Sequence, residues 1–243
     1  GLKQITPNCM IYGETGRYPV HVHITVRIIN YWLKIVRSHE MKINKKLYEI
    51  ARSKDENGTK VTKWIEFVRN TLFTNGFGYV WLQQAENIDV NQFKAAFRDR
   101  LFNQYVQVWT ATVAERRKCL VYKEIKVDFK LESYLYKVPF SLSRYLFIFR
   151  TCNHRLTIET GRSVNVERNE RYCNNCNLNS IGDEYHLFYE CQNEKIIDLR
   201  RKFIPNDVIK KSSMFSFVNL LKGLENVVVC TRICKFLKNT NLM

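Results

Sequence analysis

The sequence lacks an apolar run long enough to span a membrane, and its N-terminus lacks the basic, apolar and small-residue succession of a secretory signal. We therefore expect no membrane partner. The chain begins with Gly1 and enters patterned sequence at once. For this reason we expect it to be a piece of a longer protein.

Two zinc-dependent catalytic motifs are also missing. A zinc peptidase needs His-Glu-x-x-His, but His39-Glu40 has no second histidine. A zinc deaminase needs His-x-Glu before Pro-Cys-x-x-Cys, and His21, His23 and His154 do not provide it. We expect no catalysis from either class.

Acidic residues are scarce relative to basic ones. The chain has 23 Asp and Glu against 39 Lys and Arg, which gives a formal net charge of +16. Such an excess favours a polyanionic partner. Because aromatic residues make up 13% of the chain and bases stack on rings, nucleic acid is the favoured partner. A solubilising basic surface or an anionic membrane would be the alternative.

One stretch combines cysteine and histidine at metal-ligand spacing. Cys173, Cys176, His186 and Cys191 form the pattern C-x2-C-x9-H-x4-C. Three thiolates and one imidazole are the ligands that tetrahedral Zn²⁺ prefers, and four protein ligands leave no position for a reactive water. The spacing predicts one structural zinc, with Asp183 capping a helical turn that carries His186 and Cys191. Without metal, the same residues would be reduced core residues.

The remaining cysteines do not suggest disulfide bonds. Eight cysteines occur in total, and five lie outside the pattern: Cys9, Cys119, Cys152, Cys230 and Cys234. An odd number without a regular framework favours a reducing compartment, the nucleus or the cytosol.

Hydrophobic periodicity predicts a mainly α fold: a helical domain with a small irregular CCHC zinc knuckle inserted between helices. Helices are predicted at about 12–37, 61–72, 89–116, 141–149, 196–203, 215–221 and 227–237. In the first, alternation from Val20 to Ile28 also fits a strand. Residues 119–137 fit a strand followed by a short helix around Glu132. We divide the chain into a helical region at 1–118 and a helical region at 119–243 that carries the knuckle.

Basic and aromatic residues concentrate around the cysteine pattern. Between residues 144 and 171 the sequence has six arginines and no lysine. Arginine suits bidentate contacts to phosphate, although nearby glutamates would form internal ion pairs with some of these arginines. The predicted nucleic-acid contacts are Arg144, Arg150, Arg155, Arg162, Arg168, Arg171, Tyr172, Tyr185, Arg200, Arg201 and Lys202.

The same region resembles a known family. The string from Phe149 to Arg162, then Arg168 to Cys176, then Gly182-Asp183-Glu184-x-His186 and Cys191 resemble the region downstream of the polymerase in non-LTR (LINE-type) retrotransposon polyproteins. The segment 12–19 also resembles part of such proteins. The resemblance implies a C-terminal region that helps a reverse transcriptase hold template RNA or target DNA during target-primed reverse transcription. Its partners would be RNA, DNA or both, and the upstream polymerase domain.

The departures from the family limit what this chain can do. A reverse transcriptase needs an Asp-Asp metal-binding turn, and the sequence has no Asp-Asp pair. Some relatives carry a nuclease after the knuckle, but Asp207 with Lys210, and Glu124 with Lys126, lack a convincing partner. We therefore expect no enzymatic activity in this fragment, although its parent would be an RNA-directed DNA polymerase.

Two functions remain in view. In the first, zinc fixes a loop so that arginines and tyrosines contact nucleic acid. In the second, the knuckle only staples helices, and a helical face around Trp64 and Trp109 docks on the polymerase or another protein. The two can coexist.

Overall fold

The computed structural model describes residues 6–56, 62–116 and 120–243. These residues are mainly helical and contain no β-strand; their only extended pairings are isolated bridges between Thr15 and Leu131 and between Tyr172 and Ile181. The predicted mainly α class is confirmed.

The helices follow one another with short connections. In chain order the α-helices are α1 (Asn8–Thr15), α2 (Val20–Val36), α3 (Ile43–Glu56), α4 (Lys63–Thr74), α5 (Gly78–Leu82), α6 (Val90–Glu115), α7 (Leu120–Ile125), α8 (Tyr134–Lys137), α9 (Phe140–Arg150), α10 (Thr157–Ser163), α11 (Glu194–Phe203), α12 (Asn206–Lys210), α13 (Met214–Lys222) and α14 (Val227–Thr240). A 3₁₀ turn, Arg168–Glu170, and a π-helical turn, His186–Glu190, lie between α10 and α11.

The chain divides into two compact units. One, here called the middle unit, is Tyr18–Val108. The other, here called the split unit, combines the residues up to Arg17 with Trp109–Met243. The division at 118/119 that the sequence suggested stays a prediction, and residues 117–119 lie outside the described ones.

The middle unit has its own apolar core. Trp32 on α2 is fully buried and stacks on Trp81, with ring centroids 5.8 Å apart. Its indole N–H donates to the hydroxyl of Tyr48 at 3.0 Å, and that hydroxyl donates to Gln84 Oε1 at 2.6 Å. These bonds satisfy the buried polar atoms, so α2, α3 and α5 pack together without an unpaired donor among these groups.

The first predicted helix is two helices in the structure. Val20–Val36 is helical as predicted, so the strand-like alternation in it does not decide the conformation. The break comes at Gly16, whose φ of 60° ends α1 in the left-handed conformation, and at Pro19, which precedes α2. A Cβ at Gly16 would lie 2.4 Å from the backbone nitrogen of Leu131, so the close approach also requires glycine.

The long predicted helix is confirmed as α6. The Asp89 carboxylate caps it by accepting from the amides of Asn91 and Gln92 at 2.9 and 3.1 Å. Phe93 and Phe97 on its predicted apolar face are buried. Val108, predicted on the same face, is 58% exposed, so that assignment was wrong. The predicted helix 61–72 corresponds to α4, and its predicted first residue, 61, lies outside the described residues.

Two local predictions in the split unit were wrong. The strand predicted after residue 119 is helical where the structure describes it, because Tyr122 and Ile125 bury one side of α7 at a spacing of three. The short helix predicted near Glu132 is present as α8. The start predicted at residue 141 is one residue late, since α9 begins at Phe140, after Pro139.

Apolar residues of α9, α11, α13 and α14 form the core of the split unit. Phe188, which belongs to the turn carrying the cysteine pattern, packs on Phe217 and Phe236 with ring centroids 5.6 Å away in both cases. The turn is thus anchored directly in the core. Among the described residues no single helix is long and apolar enough to cross a membrane. Helices α13 and α14 meet both criteria only when they are taken together, and the pair is bent by 113°.

Candidate metal centre and basic surface

A short hairpin-like pairing brings the first two cysteines into place. Cys173 N–H donates to Ser180 O at 2.8 Å, and Gly182 N–H donates to Arg171 O at 2.9 Å. The chain between these bonds turns back on itself and carries Cys176. Gly182 lies so close to α10 that an added Cβ would stand 2.0 Å from Thr157 Oγ1. A side chain at this position would push the pairing away from α10.

The π-helical turn supplies the other two donors. His186 begins this turn and Cys191 follows it directly. The Asp183 carboxylate accepts from His186 N–H at 2.9 Å, so the predicted capping of this turn is confirmed. Leu187 and Phe188 point into the core and hold the turn in position.

The four donor atoms of Cys173, Cys176, His186 and Cys191 all lie within 4.8 Å of one another and could hold a metal ion. Cys176 Sγ is 3.3 Å from His186 Nε2. In a tetrahedral zinc site with bonds of about 2.3 Å to sulfur and 2.0 Å to nitrogen, these two atoms would be about 3.5 Å apart. The observed spacing therefore fits such a site.

The surroundings of the cluster favour a closed structural site. His186 and Cys191 are buried, and Cys173 and Cys176 are half-buried. The space beside them is about 10 Å³, which is at most the room that one water molecule needs. No substrate of ordinary size fits there.

Glu190 orients the imidazole, a role that the sequence analysis missed. Its Oε2 lies 3.2 Å from His186 Nδ1, while Nε2 faces Cys176. A carboxylate on the far nitrogen is the usual outer partner of a metal-binding histidine, because it fixes the tautomer and the ring. The spacing of four residues on one helical turn was the available signal.

The three thiols differ in acidity. Burial raises the pKa of Cys176, but hydrogen bonds from the backbone N–H groups of Leu178 and Gln192, together with those of His186 and Cys173, lower the pKa to about 6. Burial raises the pKa of Cys191 to about 12 and shifts the pKa of Cys173 upward as well. Cys176 is thus the first thiol to ionise. A bound dication would displace protons from the other two.

A second buried cluster lies directly behind the turn. Glu184 Oε1 accepts from His154 Nε2 at 2.9 Å and from Cys152 Sγ at 3.4 Å. Leu156 N–H lies 3.4 Å from His154 Nδ1, which makes Nδ1 the acceptor and places the ring proton on Nε2. Because Nε2 donates this proton to Glu184, we interpret the cluster as a hydrogen-bonded anchor. It ties the segment before His186 to the end of α9.

This anchor predicts an effect on metal retention. His154→Leu should speed the release of bound metal several-fold, because Glu184 would lose its main partner and the turn its support. The measurement is the rate at which a chromophoric chelator takes up the metal. His154→Gln keeps an amide donor and should stay closer to the unchanged protein. Equal release rates for the Leu variant and the unchanged protein would contradict the role.

Only part of the predicted basic surface is exposed. Six of the predicted nucleic-acid contacts are exposed: Arg144, Arg155, Arg168, Tyr172, Arg201 and Lys202. Arg168 begins the 3₁₀ turn that directly precedes Arg171, whose carbonyl accepts from Gly182 N–H at 2.9 Å. Arg168 is therefore close in the chain to the paired segment that carries Cys173.

The prediction that Arg150 and Arg200 contact nucleic acid is wrong, because both side chains are buried. Arg150 forms a two-bond pair with Glu14, at 2.9 and 3.0 Å, and its side chain has no exposed area. Arg200 donates to the carbonyls of Leu187 and Cys191 at 3.2 and 3.0 Å. Both guanidinium groups stabilise the fold and are not available to a nucleic acid.

Three further predicted contacts are half-buried. Arg162 pairs with Glu159 at 2.9 Å. Arg171 donates to the carbonyls of Val166 and Ile158, both at 2.9 Å.

Tyr185, the third of them, packs against the rings of Tyr189 and Phe217. In the partial nuclease pattern of Glu124 with Lys126, Lys126 is buried and paired with Glu132.

Comparison with protein-family models, with curated proteins and with solved structures finds no match to this chain. The resemblance to retrotransposon polyproteins therefore stays a prediction that rests on the residues themselves. What the geometry identifies is a mainly helical chain with a Cys₃His cluster that could hold a metal ion.

Proposed function

We propose that this chain is a nucleic-acid-binding region whose exposed arginines are positioned by one structural Zn²⁺. The observation that carries the proposal is the exposed position of Arg168 in the 3₁₀ turn that leads directly into the paired segment carrying Cys173 of the Cys₃His cluster. Zn²⁺ is the proposed ion because three thiolates and one imidazole match its preference for soft and borderline ligands in tetrahedral geometry. The zinc would hold a CCHC knuckle between α10 and α11.

The net charge of +16 supports a polyanionic partner. In the proposed complex, Arg155 and Arg168 contact phosphates, and Tyr172 offers a ring to a base. The proposed parent is a non-LTR retrotransposon reverse transcriptase, with the fragment holding template RNA or target DNA for the upstream polymerase. The chain would have no activity of its own and would work in the nucleus or cytosol.

Charge reversal tests the proposed surface. Arg155→Glu with Arg168→Glu should weaken binding to an RNA or DNA oligonucleotide at least tenfold at moderate salt, because two phosphate contacts become repulsive. Fluorescence anisotropy measures the affinity, and native mass spectrometry checks that one zinc is retained. The matched control is Lys123→Glu with Lys222→Glu, which reverses two exposed charges on α7 and α13. Equal losses in both pairs would show that only overall charge matters.

A protein-interaction role is the second candidate, and one surface favours it. The face around Trp109 is not available, because Trp109 is buried and its indole N–H donates to Cys9 O at 2.7 Å. On α3, however, Ile43, Leu47 and Ile50 are 73%, 59% and 54% exposed at helical spacing. Such a stripe is typical of a docking face. Binding through it would depend little on salt, whereas nucleic-acid binding would depend on salt strongly.

A further inference from the structure

The middle unit contains a polar pocket far along the chain from the cysteine cluster. The end of α2, the following segment and the first turns of α3 and α6 enclose about 490 Å³. Leu33 and Val90 form the apolar part of its lining. Every lining residue belongs to the middle unit, so the pocket is complete within it.

The lining contains four basic side chains and no acidic one. Lys34, Arg37, Lys42 and Lys94 line the pocket, and all four are exposed. Across residues 6–56, 62–116 and 120–243, the ion pairs found in the structure do not include any of these four cations. Four like charges around one space repel one another unless an anion joins them.

Neutral hydrogen-bonding groups complete the lining. They are the side chains of Asn30, Ser38 and Asn44. Amide and hydroxyl groups of this kind donate to phosphate oxygens in nucleic-acid complexes and supplement the contacts of lysine and arginine. The combination is therefore suited to an oxyanion with several acceptor oxygens.

Local contacts hold part of the pocket in place. Arg37 Nη1 donates to Ala85 O at 3.3 Å, which fixes the guanidinium and leaves further N–H groups for a ligand. Lys45 Nζ donates to Val36 O at 2.8 Å and so satisfies a carbonyl at the end of α2. The nearby Asp89 carboxylate is engaged in capping α6.

We propose that this pocket binds phosphate groups of a nucleic-acid backbone. The inference rests on the proposed function and adds a second contact region, in the middle unit, to the arginines beside the cysteine cluster. The pocket takes phosphodiesters by charge and hydrogen bonding and reads no base.

Neutralising two of the cations tests the pocket. The probe is a fluorescein-labelled single-stranded RNA oligonucleotide, titrated with the full chain over a salt series. Lys34→Gln with Lys94→Gln should lower the affinity several-fold and make the slope of log K against log salt shallower by about 1.4, which is the change expected for two lost phosphate contacts. Lys46→Gln with Lys63→Gln removes two exposed charges of the same unit outside the pocket and should leave the slope unchanged.

The outcomes separate the two proposals. If the unchanged protein does not bind the oligonucleotide, the proposed function fails. If it binds, but the pocket pair behaves like the control pair, the pocket assignment alone is overturned. Inorganic phosphate and a nucleoside triphosphate serve as competitors at matched phosphate concentration. Weak competition by both supports a nucleic-acid backbone as the ligand. If the triphosphate occupies the pocket and RNA binding is not lost, the pocket assignment is overturned.

Discussion

Cys176→Ser should abolish stoichiometric binding of the proposed zinc and loosen the chain from Cys173 to Cys191. The effect should be large, because structural zinc sites supply about 10–16 kcal/mol of binding free energy that is also folding free energy. Hydrogen bonds to its sulfur lower the pKa of Cys176 to about 6, so its loss removes a ligand that is readily ionised at neutral pH. Native mass spectrometry counts the metal, and amide hydrogen exchange reports the loosening.

A thiol outside the cluster provides the control. Cys152→Ser keeps a donor for Glu184 and should retain one zinc per chain, since Cys152 belongs to the anchor behind the turn. Retention of one tightly held zinc by the Cys176 variant would refute the assigned ligands. Loss of zinc from both variants would show that metal retention needs the anchor as much as the ligand.

Arg150→Met should destabilise the split unit by about 3–5 kcal/mol, because it leaves a buried carboxylate without its cation. Glu14 and Arg150 have no exposed side-chain area, and the Tyr134 hydroxyl also donates to Glu14 at 2.6 Å. Burial alone would lower the pKa of Arg150, yet Glu14 raises it above its ordinary value. The free energy of unfolding in urea measures the loss.

A double variant separates the lost pair from lost packing. Arg150→Met with Glu14→Gln removes both charges and should recover part of the stability, because no unpaired carboxylate stays buried. A loss below about 1 kcal/mol for Arg150→Met would mean that the pair behaves like an exposed one. RNA binding by the folded variant should keep its salt dependence, since Arg150 lies inside the protein.

The sequence alone does not distinguish the buried Arg150 from the exposed Arg155. Arg150 and Arg155 lie five residues apart in the same basic stretch, and both fit a phosphate contact by composition. Arg150 is buried because Glu14, which is 136 residues away in the chain, folds against it. Arg155 has no such partner in the described residues and is exposed. A pairing over that distance leaves no local pattern to detect.

Periodicity predicted most of the longer helices but missed α3, and the predicted boundaries were less accurate. Periodicity located α6 and α14, because an amphipathic face is a local property of the sequence. Within residues 12–37, the interruption between α1 and α2 depended on Gly16 approaching Leu131, a contact between distant segments. The cysteine pattern was predicted from spacing alone. The anchor of His154 and Glu184 was missed because its members are thirty residues apart and form no motif.

The most direct test of the central claim is oligonucleotide binding by the unchanged chain over a salt series, with and without a zinc chelator. The account predicts that log K falls linearly with log salt, with a slope that corresponds to the release of several counterions. It also predicts that the chelator weakens binding, because the proposed knuckle loosens without zinc. Binding that does not vary with salt, or that survives full removal of zinc unchanged, would contradict it.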